Sequence, residues 1–359
     1  MDSELIFSWN CRGLPLHFEE VKLLLIKYNP TVFCLQETNI LEPERDENGK
    51  LKEESPYLIF NGYKGYHSYA TSENNRAHGG ASIWVKDGIP HKPLEVDTTL
   101  QVASIAIHGQ RCQIVSSVYL SPAANVSVRD LNNLINQFSS PYILNGDFNA
   151  RSEALGDNDY NQRGPVLQNF ILDNNICIMN TGEPTRIDPN TGNGTVLDLA
   201  LCHPELVMDY EFQVADDLSG SDHFPIILKA INTQPLEPIE IWNFEKADWS
   251  KFSESCIEQL TLINVLKQSD GVDHMQAFID NLFNISKESI PRYKSKPKRS
   301  YPWFNDEIRQ SIRARKQAQR RFHRQPTLTN KIRYKELCAH TRRTIRQTKK
   351  KVGLTIFQS

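Results

Sequence analysis

The first 232 residues repeatedly alternate short apolar segments with polar loops, and this pattern restricts the fold more than any other feature of the chain. Short segments rich in Val, Ile, Leu or Phe are typical of β-strands. We predict strands at 4–9, 31–36, 80–86, 102–107, 112–120, 141–146, 176–180, 195–202, 210–215 and 224–231. Helical spacing of apolar residues predicts helices over 18–28, 127–138 and 164–174. Because these helices are too few to accompany one wound parallel sheet, the pattern predicts an α/β (α+β) domain with two packed sheets.

The composition changes near residues 233–245, where two prolines interrupt the strand pattern. We therefore predict three parts: a domain over 1–232, a linker and helical connector over 233–300, and a basic helical segment over 301–359. The basic segment is predicted to contain long helices over 304–324 and 329–351. Residues 42–56 are highly charged and are predicted to form an exposed loop or hairpin.

The net charge of −2 conceals a strong asymmetry along the chain. Residues 1–290 contain 20 Lys and Arg against 40 Asp and Glu, whereas residues 291–359 contain 21 against 3. Such a basic tail is typical of a segment that binds a polyanion, and a solvated helical face is the alternative.

The cysteine pattern and the lengths of the apolar runs indicate the cellular compartment in which we expect the protein. The seven cysteines include no C-x-x-C pair and mostly lie in apolar segments, which predicts buried, reduced thiols in an intracellular protein. We find neither a secretion signal nor an apolar run long enough for a membrane span, so we expect no membrane association. The basic stretch 294–299 is typical of a nuclear import patch, which predicts nuclear localisation.

Polar side chains lie directly after, inside or directly before several of the predicted strands. They are Asn10, Glu37, Tyr119, Asp147, Asn149, Asp198, Asp222 and His223. Hydrolysis of a phosphodiester requires a cation, a group that orients water and a group that stabilises the phosphoryl oxygens. Hard cations prefer carboxylate and amide oxygens. Taken singly, each residue has an ordinary explanation such as a turn, a cap or a strand-end aromatic, but together their order predicts a site for phosphodiester hydrolysis.

Two local patterns strengthen this prediction. Asp147 and Asn149 alternate on an extended segment, so their side chains project in the same direction. Asp198 lies in an otherwise apolar strand, where an unpaired carboxylate costs several kcal/mol. We therefore expect Asp198 to have a partner, for which His223 is a good candidate.

The motifs around these residues resemble those of the endonuclease/exonuclease/phosphatase superfamily over about residues 5–231. The resemblance rests on Trp9-Asn10-Cys11-Arg12-Gly13, Gln36-Glu37-Thr38, Tyr119, Gly146-Asp147-Phe148-Asn149, the Asp198 strand and Ser221-Asp222-His223. It implies a four-layered α/β-sandwich of two mixed sheets flanked by helices, with a Mg²⁺-dependent site and Mn²⁺ as the alternative ion. It also implies that Glu37 is the main metal ligand with Asn10 beside it, and that Asp222 is a second ligand or holds a water.

The same resemblance assigns the remaining site residues to the phosphate. It implies that Asp147 positions or deprotonates the attacking water and that Asn149 and Tyr119 contact the phosphate. His223 would stabilise a phosphoryl oxygen, with its ring oriented by Asp198. Substrate contacts are also implied at Arg151, Thr185, Thr195 and Ser221, where the two threonines either contact DNA phosphate or support the site.

Within the superfamily, the chain most resembles the apurinic-endonuclease-like domain of Jockey-type non-LTR retrotransposons of arthropods. The segments 146–151, 161–164 and 184–186 carry this likeness, and 301–346 resembles the connector that leads to a reverse transcriptase. No Tyr/Phe-x-Asp-Asp motif of a polymerase follows. Two positions depart from relatives: Arg12 stands where some have an acid, and Leu120-Ser121-Pro122-Ala123 replaces a segment with a phosphate-binding Asn.

The resemblance implies an endonuclease that nicks DNA and leaves a 3′-hydroxyl to prime reverse transcription. DNA is the expected partner, and element RNA is a second expected partner of the basic helices. A phosphatase acting on inositol phosphates or phospholipids is the alternative within the same fold. A non-catalytic, nucleic-acid-binding remnant of a truncated mobile element is the alternative from another class.

Overall fold

The computed structural model describes residues 4–356 except 45–54, 74–75, 109–111, 140, 232–240, 266–270 and 294–302. The chain divides into two compact units: unit 1 contains residues 1–236 and 297–359, and unit 2 contains residues 237–296. Most of the loop predicted at 42–56 and the basic patch at 294–299 lie outside the described residues.

The strands of the described chain are β1 Leu5–Asn10, β2 Val32–Gln36, β3 Tyr63–Ser68, β4 Thr71–Glu73, β5 Arg76–His78, β6 Ala81–Lys86, β7 His91–Leu94, β8 Gln101–His108, β9 Cys112–Tyr119, β10 Tyr142–Asp147, β11 Cys177–Ile178, β12 Arg186–Ile187, β13 Gly194–Thr195, β14 Asp198–Cys202, β15 Tyr210–Val214, β16 Ile226–Ala230, β17 Ile241–Trp242 and β18 Arg292–Tyr293. The helices are α1 Leu14–Tyr28, α2 Val128–Ile135, α3 Arg163–Asp173, α4 Trp249–Val265, α5 Gly271–Ser289, α6 Asp306–Arg324 and α7 Leu328–Ile356.

Two six-stranded mixed sheets form the centre of unit 1. The first has the order β15-β16-β1-β2-β6-β3 and the second β11-β14-β10-β9-β8-β7. Each sheet contains one parallel pair, β1 with β2 and β9 with β10, and its other neighbours are antiparallel. A parallel pair matters for the site because it brings two carboxyl ends to the same edge of a sheet.

Three apolar clusters show that helices and sheets form four layers. Between the sheets, Ile6 and Val32 from one sheet lie in the same buried cluster as Ile105 and Val115 from the other. The outer face of the first sheet packs with α1, and the outer face of the second packs with α2 and α3. The predicted fold, a four-layered sandwich of two mixed sheets, is therefore confirmed.

The differences from the predicted elements have physical explanations. Helix α1 begins at Leu14, four residues earlier than predicted, with Pro15 near its first position, where proline costs no hydrogen bond. Strands β3 and β7 were not predicted because, as edge strands, they are only partly buried and lack an apolar run. The segment predicted as one strand at 195–202 is divided between β13 and β14.

The basic helices α6 and α7 match the predicted positions and pack against the rest of unit 1. The side chain of Arg315 on α6 is buried between Glu20 of α1 and Asp217, at 2.5 and 3.2 Å. The structure therefore groups residues 297–359 with residues 1–236, rather than as a separate third part. The domain boundaries drawn from the sequence stay a prediction.

Unit 2 consists of helices α4 and α5 and the short antiparallel pair β17–β18. The guanidinium of Arg292 lies 3.9 Å from the ring centre of Trp242 and stacks on it. Over the described parts of both units, every helix is too short or too polar to cross a bilayer.

Candidate active site

The predicted site residues lie at the ends of neighbouring strands in both sheets. Asn10 ends β1 beside Gln36, and Glu37 follows directly after β2. In the second sheet, Asp147 ends β10 and is paired with Tyr119 on one side and Asp198 on the other. Strand pairing therefore gathers one group of polar side chains in each sheet.

The amide of Asn10 connects the two groups. Its Nδ2 donates to Glu37 Oε1 at 2.9 Å and to Asp147 Oδ2 at 2.8 Å, and its Oδ1 accepts from the backbone N–H of Arg12 at 3.1 Å. Asn10 is completely buried, so these bonds are not exchanged with water. One side chain thus holds two carboxylates, one from each sheet, at fixed positions.

His223 faces the same carboxylates from the loop before β16. Its Nδ1 donates to Asp198 Oδ2 at 2.8 Å, and its backbone carbonyl accepts from Trp9 Nε1 at 2.9 Å. The hydroxyl of Ser221 donates to the carbonyl of Asn10 and accepts from the N–H of His223. The Asp198–His223 pairing expected from the buried charge is therefore present, and it holds the ring at Nδ1 while Trp9 and Ser221 hold the backbone.

Asp147, Asp198 and His223 form a compact buried set. Their oxygen and nitrogen atoms lie within 4.8 Å of one another, close enough to share a cation. Burial raises the pKa of Asp147, and Asp198 and Glu37 raise it further. Burial lowers the pKa of His223, but Asp198 and the two other nearby aspartates outweigh it and raise the pKa to about 9.

Asp222 is held by two arginines. Its Oδ1 lies 3.2 Å from Arg12 Nη1, and its Oδ2 accepts from Arg186 Nε at 3.0 Å. The same carboxylate lies 3.9 Å from His223 Nε2. In this chain Arg12 therefore supplies a counter-charge to Asp222.

The backbone at the site adopts a conformation that non-glycine residues rarely take. Arg12, Glu37, Asn149 and Ser219 all have φ between 48° and 51°. Such left-handed residues cost free energy and persist where the surrounding structure imposes them. Their concentration around the carboxylates indicates that side-chain placement here was favoured over local stability.

The remaining predicted residues differ in burial and in the partners they contact. Tyr119 is nearly buried, and its burial, together with the charges of Glu37 and Asp147, raises the pKa of its hydroxyl. Asn149 is partly exposed, and its Nδ2 donates to the carbonyl of Leu120. Arg151 lies on the cleft beside Asn149 but is paired with Asp157 and Asp159.

The two predicted threonines lie inside the fold. Thr185 is fully buried, and its Oγ1 accepts from the backbone N–H groups of Leu197 and Asp198 at 3.1 and 3.0 Å. Thr195 is also buried and is paired with Arg186 across the β12–β13 ladder. Of the two roles that the sequence left open, this placement fits support of the Asp198 strand better than contact with DNA.

Arg163 is a residue that sequence reasoning passed over. Its guanidinium is largely buried and donates to four carbonyls, those of Leu120, Ser121, Ala124 and Phe148, at 2.6 to 3.2 Å. It thereby ties the loop after Tyr119 to the segment after Asp147. A lone Arg at a helix start gives no sequence signal for this role, because its acceptors are backbone atoms distant in the chain.

A polar cleft of about 600 Å³ opens beside these residues. We define this polar cleft by Asn149, Arg151, Asn161, Arg163 and Arg186, which line it. Arg186 also holds Asp222, so the polar cleft and the buried carboxylates share one wall. A polyanion in the cleft would meet amide and guanidinium groups next to the buried set.

Comparison with known proteins agrees with this geometry. Residues 113–227 match the family described as endonuclease–reverse transcriptase. The chain is 27% identical over 293 residues to an RNA-directed DNA polymerase from mobile element jockey of Drosophila funebris. It is 26% identical over 298 residues to a probable RNA-directed DNA polymerase from transposon BS of Drosophila melanogaster. These matches cover 80% of this chain but only 30% and 31% of the relatives.

Solved structures show the same fold. The endonuclease domain of TRAS1, a telomere-specific non-LTR retrotransposon, matches 66% of this chain and 99% of its own length, with 17% identity and a TM-score of 0.51. The AP endonuclease LMAP from Leishmania major matches 65% of this chain and 89% of its own, with 13% identity and a TM-score of 0.51. At such identities the likeness establishes the fold alone.

The chain is thus similar in sequence to RNA-directed DNA polymerases of mobile elements, and it has the fold of the TRAS1 endonuclease domain. The family match spans β9 to β16 and therefore contains Tyr119, Asp147, Asp198 and His223. Asn10 and Glu37 lie outside the matched range, and the structure brings them to the same place.

The residues of this candidate site fit a divalent metal ion. Glu37 is partly exposed and faces the same centre as Asp147 through Asn10. Asp198 Oδ1 is buried without a hydrogen-bond partner among the described residues, so the site has uncompensated acceptor capacity. Carboxylate and amide oxygens suit a hard cation such as Mg²⁺. Asp222, already paired with two arginines, is the least suited of the predicted ligands.

Proposed function

We propose that the chain hydrolyses a phosphodiester bond of DNA in a reaction that depends on a divalent metal ion, with Mg²⁺ as the first choice and Mn²⁺ as the alternative. The observation that carries this proposal is one contact path, Glu37–Asn10–Asp147, with Asp198–His223 beside it. Oxygen ligands, a carboxylate for water and an imidazole for the phosphate thus lie within one buried centre. These are the groups that hydrolysis of a phosphodiester requires.

In the proposed reaction, Asp147 accepts a proton from the attacking water and the oxygen attacks phosphorus. Asn149, at the mouth of the polar cleft, donates to a non-bridging oxygen. The Nε2–H of His223 donates to a second phosphoryl oxygen, and Asp198 keeps the ring in this orientation. A cation bound at Glu37, with Asn10 beside it, would neutralise the phosphate and the leaving oxygen. The bond from phosphorus to O3′ breaks, O3′ takes a proton from a solvent water, and the products are a 3′-hydroxyl and a 5′-phosphate.

Other parts of the proposal concern the setting of the reaction. A 3′-hydroxyl at the nick would prime reverse transcription, in keeping with the RNA-directed DNA polymerases that this chain resembles. DNA is the proposed partner of the site, and element RNA is a second proposed partner of α6 and α7. Action on chromosomal DNA would place the protein in the nucleus.

A supercoiled plasmid tests the proposed activity. We expect conversion to the nicked circle with Mg²⁺ and none with EDTA, and a DNA polymerase should extend the nick without prior end repair. Asp147→Asn and His223→Asn should each lower the rate by about 10²- to 10⁴-fold. Asp173→Asn, an exposed carboxylate at the end of α3, is the matched control and should leave the rate unchanged.

Three results would refute the proposal in distinguishable ways. Hydrolysis only of inositol phosphates or other small phosphomonoesters would assign the site to a phosphatase. DNA binding without turnover would assign the chain to the non-catalytic class. Equal nicking by the wild type and the Asp147 and His223 variants would attribute the activity to a contaminant.

A further inference from the structure

A second concave surface lies on the other side of Asp222. A groove of about 300 Å³ runs between the Asp222 loop and helices α6 and α7. We define this basic groove by Arg12 and Asp222 at its site end and by Lys331, Lys335 and Arg342 from α7. Because Asp222 lies 3.9 Å from His223 Nε2, the groove begins where the proposed reaction takes place.

Buried contacts fix the helices that form the far wall of the groove. Besides the Arg315 ion pairs with Glu20 and Asp217, Gln319 Oε1 accepts from the backbone N–H of Leu218 at 3.3 Å. At the groove's other end, Lys331 Nζ donates to Asn190 Oδ1 at 3.0 Å. The groove is thus a preformed feature of unit 1, which lowers the entropic cost of binding a ligand there.

Helices α6 and α7 carry more positive charge than their ion pairs with the rest of unit 1 neutralise. Helices α6 and α7 contain sixteen Lys and Arg and three Asp and Glu. Arg315, Lys316, Arg320 and Lys349 are compensated by acidic residues of α1 and of the segment 216–217. Lys335 and Arg342 form no ion pair with any carboxylate in the described part of the chain.

Both charge and continuity with the site identify the class of ligand. Residues 1–290 contain twice as many Asp and Glu as Lys and Arg, so a polyanion is favoured only where arginines and lysines are concentrated. Arg186 lines the polar cleft and Arg12 lines the basic groove, and both hold Asp222 between them. A strand whose phosphate lies at His223 would therefore leave the polar cleft at Asp222 and enter the basic groove.

We propose that the basic groove binds the sugar–phosphate backbone of the target DNA next to the cut phosphate. This inference rests on the proposed endonuclease function and adds a second contact surface made by the connector helices. Cations that face a backbone rather than base edges supply affinity without sequence preference. The basic helices would thus be part of the DNA-binding surface of the endonuclease-type domain.

Binding measured without cleavage tests the groove separately from catalysis. The probe is a fluorescein-labelled 30-base-pair duplex, titrated with the full chain in EDTA at several salt concentrations. The doubly substituted variant Lys335→Gln/Arg342→Gln should bind about 10- to 50-fold more weakly at 100 mM salt. The slope of log affinity against log salt should become shallower by about 1.8, since each phosphate contact contributes about 0.9.

The matched control is Arg343→Gln/Lys350→Gln. Arg343 and Lys350 are exposed cations on α7, seven residues apart like Lys335 and Arg342, but they do not line the groove. The control variant therefore also removes two positive charges, but outside the groove. The control should weaken binding by less than about threefold, as expected for loss of net charge alone. Equal weakening by both variants would overturn the groove as a specific contact surface.

Two further outcomes separate this inference from its alternatives. Tighter, groove-dependent binding of an RNA of the same sequence would overturn the assignment to DNA and identify an RNA surface. Groove-dependent binding of the duplex by a chain that nicks no plasmid would refute the proposed endonuclease function while leaving the groove as a DNA-binding surface.

Discussion

At the scale of single residues, the site depends on side chains that act through their neighbours. Asp198 holds the His223 ring, Asn10 holds two carboxylates, and Arg163 holds four backbone carbonyls. Each is buried, so loss of one partner leaves the other unsatisfied in a place that water does not reach. Substitutions at these positions should therefore affect positioning as well as stability.

Asp198→Asn tests the orientation of the imidazole. A neutral amide does not stabilise the charged imidazolium. If the amide N–H donates to Nδ1, that nitrogen no longer carries a proton. We expect kcat for plasmid nicking to fall by about 10²-fold or more with little change in KM for DNA. The pH profile of nicking should also change, which a merely structural role would not produce. An unchanged rate and profile would remove Asp198 from the mechanism.

Arg163→Met tests the four carbonyl contacts. The unfolding free energy should fall by about 2 to 4 kcal/mol, because several buried acceptors lose a charged donor. Nicking should decrease further than the loss of folded protein explains, since both loops at the polar cleft are released. Arg129→Met, an exposed arginine on α2 that serves as control, should stay within about 0.5 kcal/mol of the wild type in urea denaturation.

His17 gives a prediction for the dependence of stability on pH. Burial lowers its folded-state pKa from 6.5 to about 4, so the unfolded chain binds the proton more readily. The resulting stability is present above pH 6.5 and is lost as the pH falls toward 4. Between pH 7 and 5 the wild type should lose about 2 kcal/mol more than His17→Gln does in chemical denaturation. Parallel losses in both proteins would show that His17 is not neutral in the fold.

At the scale of elements, α6 supports the loop that carries Asp222 and His223. Arg315 reaches Asp217, Gln319 reaches the N–H of Leu218, and His17 Nε2 contacts the carbonyl of Gly220 from α1. Helix α6 thus contacts the loop that carries Asp222 and His223, although it is about 80 residues away in sequence. The position of that loop should respond to changes in α6.

Arg315→Met tests this support. Removing the guanidinium leaves Glu20 and Asp217 buried without their cation, which should lower the unfolding free energy by about 3 to 5 kcal/mol. Arg313→Met, an exposed arginine on the same helix, should change it by less than about 0.5 kcal/mol. Adding Glu20→Met to Arg315→Met should restore part of the loss, because one uncompensated charge is removed. If the double variant is as unstable as the sum of both changes, the ion pair is not the cause.

At the scale of the whole molecule, carboxylates from both sheets meet at one edge of the sandwich. An excess of negative charge there is costly unless a cation or arginines compensate it. Arg12 and Arg186 compensate Asp222, whereas among the described residues His223 is the one cationic partner close to Glu37, Asp147 and Asp198. Binding of a divalent ion should therefore stabilise the folded chain.

Thermal unfolding with and without Mg²⁺ tests this without any substrate. At a concentration ten times the dissociation constant, the ion should contribute about 1.4 kcal/mol and raise Tm by about 3 °C. Glu37→Gln should abolish the increase, while Glu205→Gln, an exposed carboxylate before β15, should retain it. An equal increase in all three proteins would indicate non-specific ion effects.

Much of the fold was predictable because its determinants are local. The strands that form the centre of each sheet, such as β2 and β10, are short buried runs that the sequence displays directly. The edge strands β3 and β7 were missed because partial exposure removes that pattern. The pairing of Asp198 with His223 was expected from the buried charge, but the bond from Asn10 to Asp147 and the Arg163 contacts were not, since neither has a signal in the sequence.

The sequence by itself determined the two-sheet sandwich, the strand-end placement of Asn10, Glu37 and Asp147, and the basic character of the last two helices. It could do so because the spacing of apolar residues and the chemistry of each side chain are read directly from the sequence. Only the tertiary structure decided that Asp222 is bound by Arg12 and Arg186, that Thr185 is buried, and that α6 packs on the loop before His223. Those outcomes depend on which distant surfaces come into contact, and they are fixed by packing and by the compensation of buried charge.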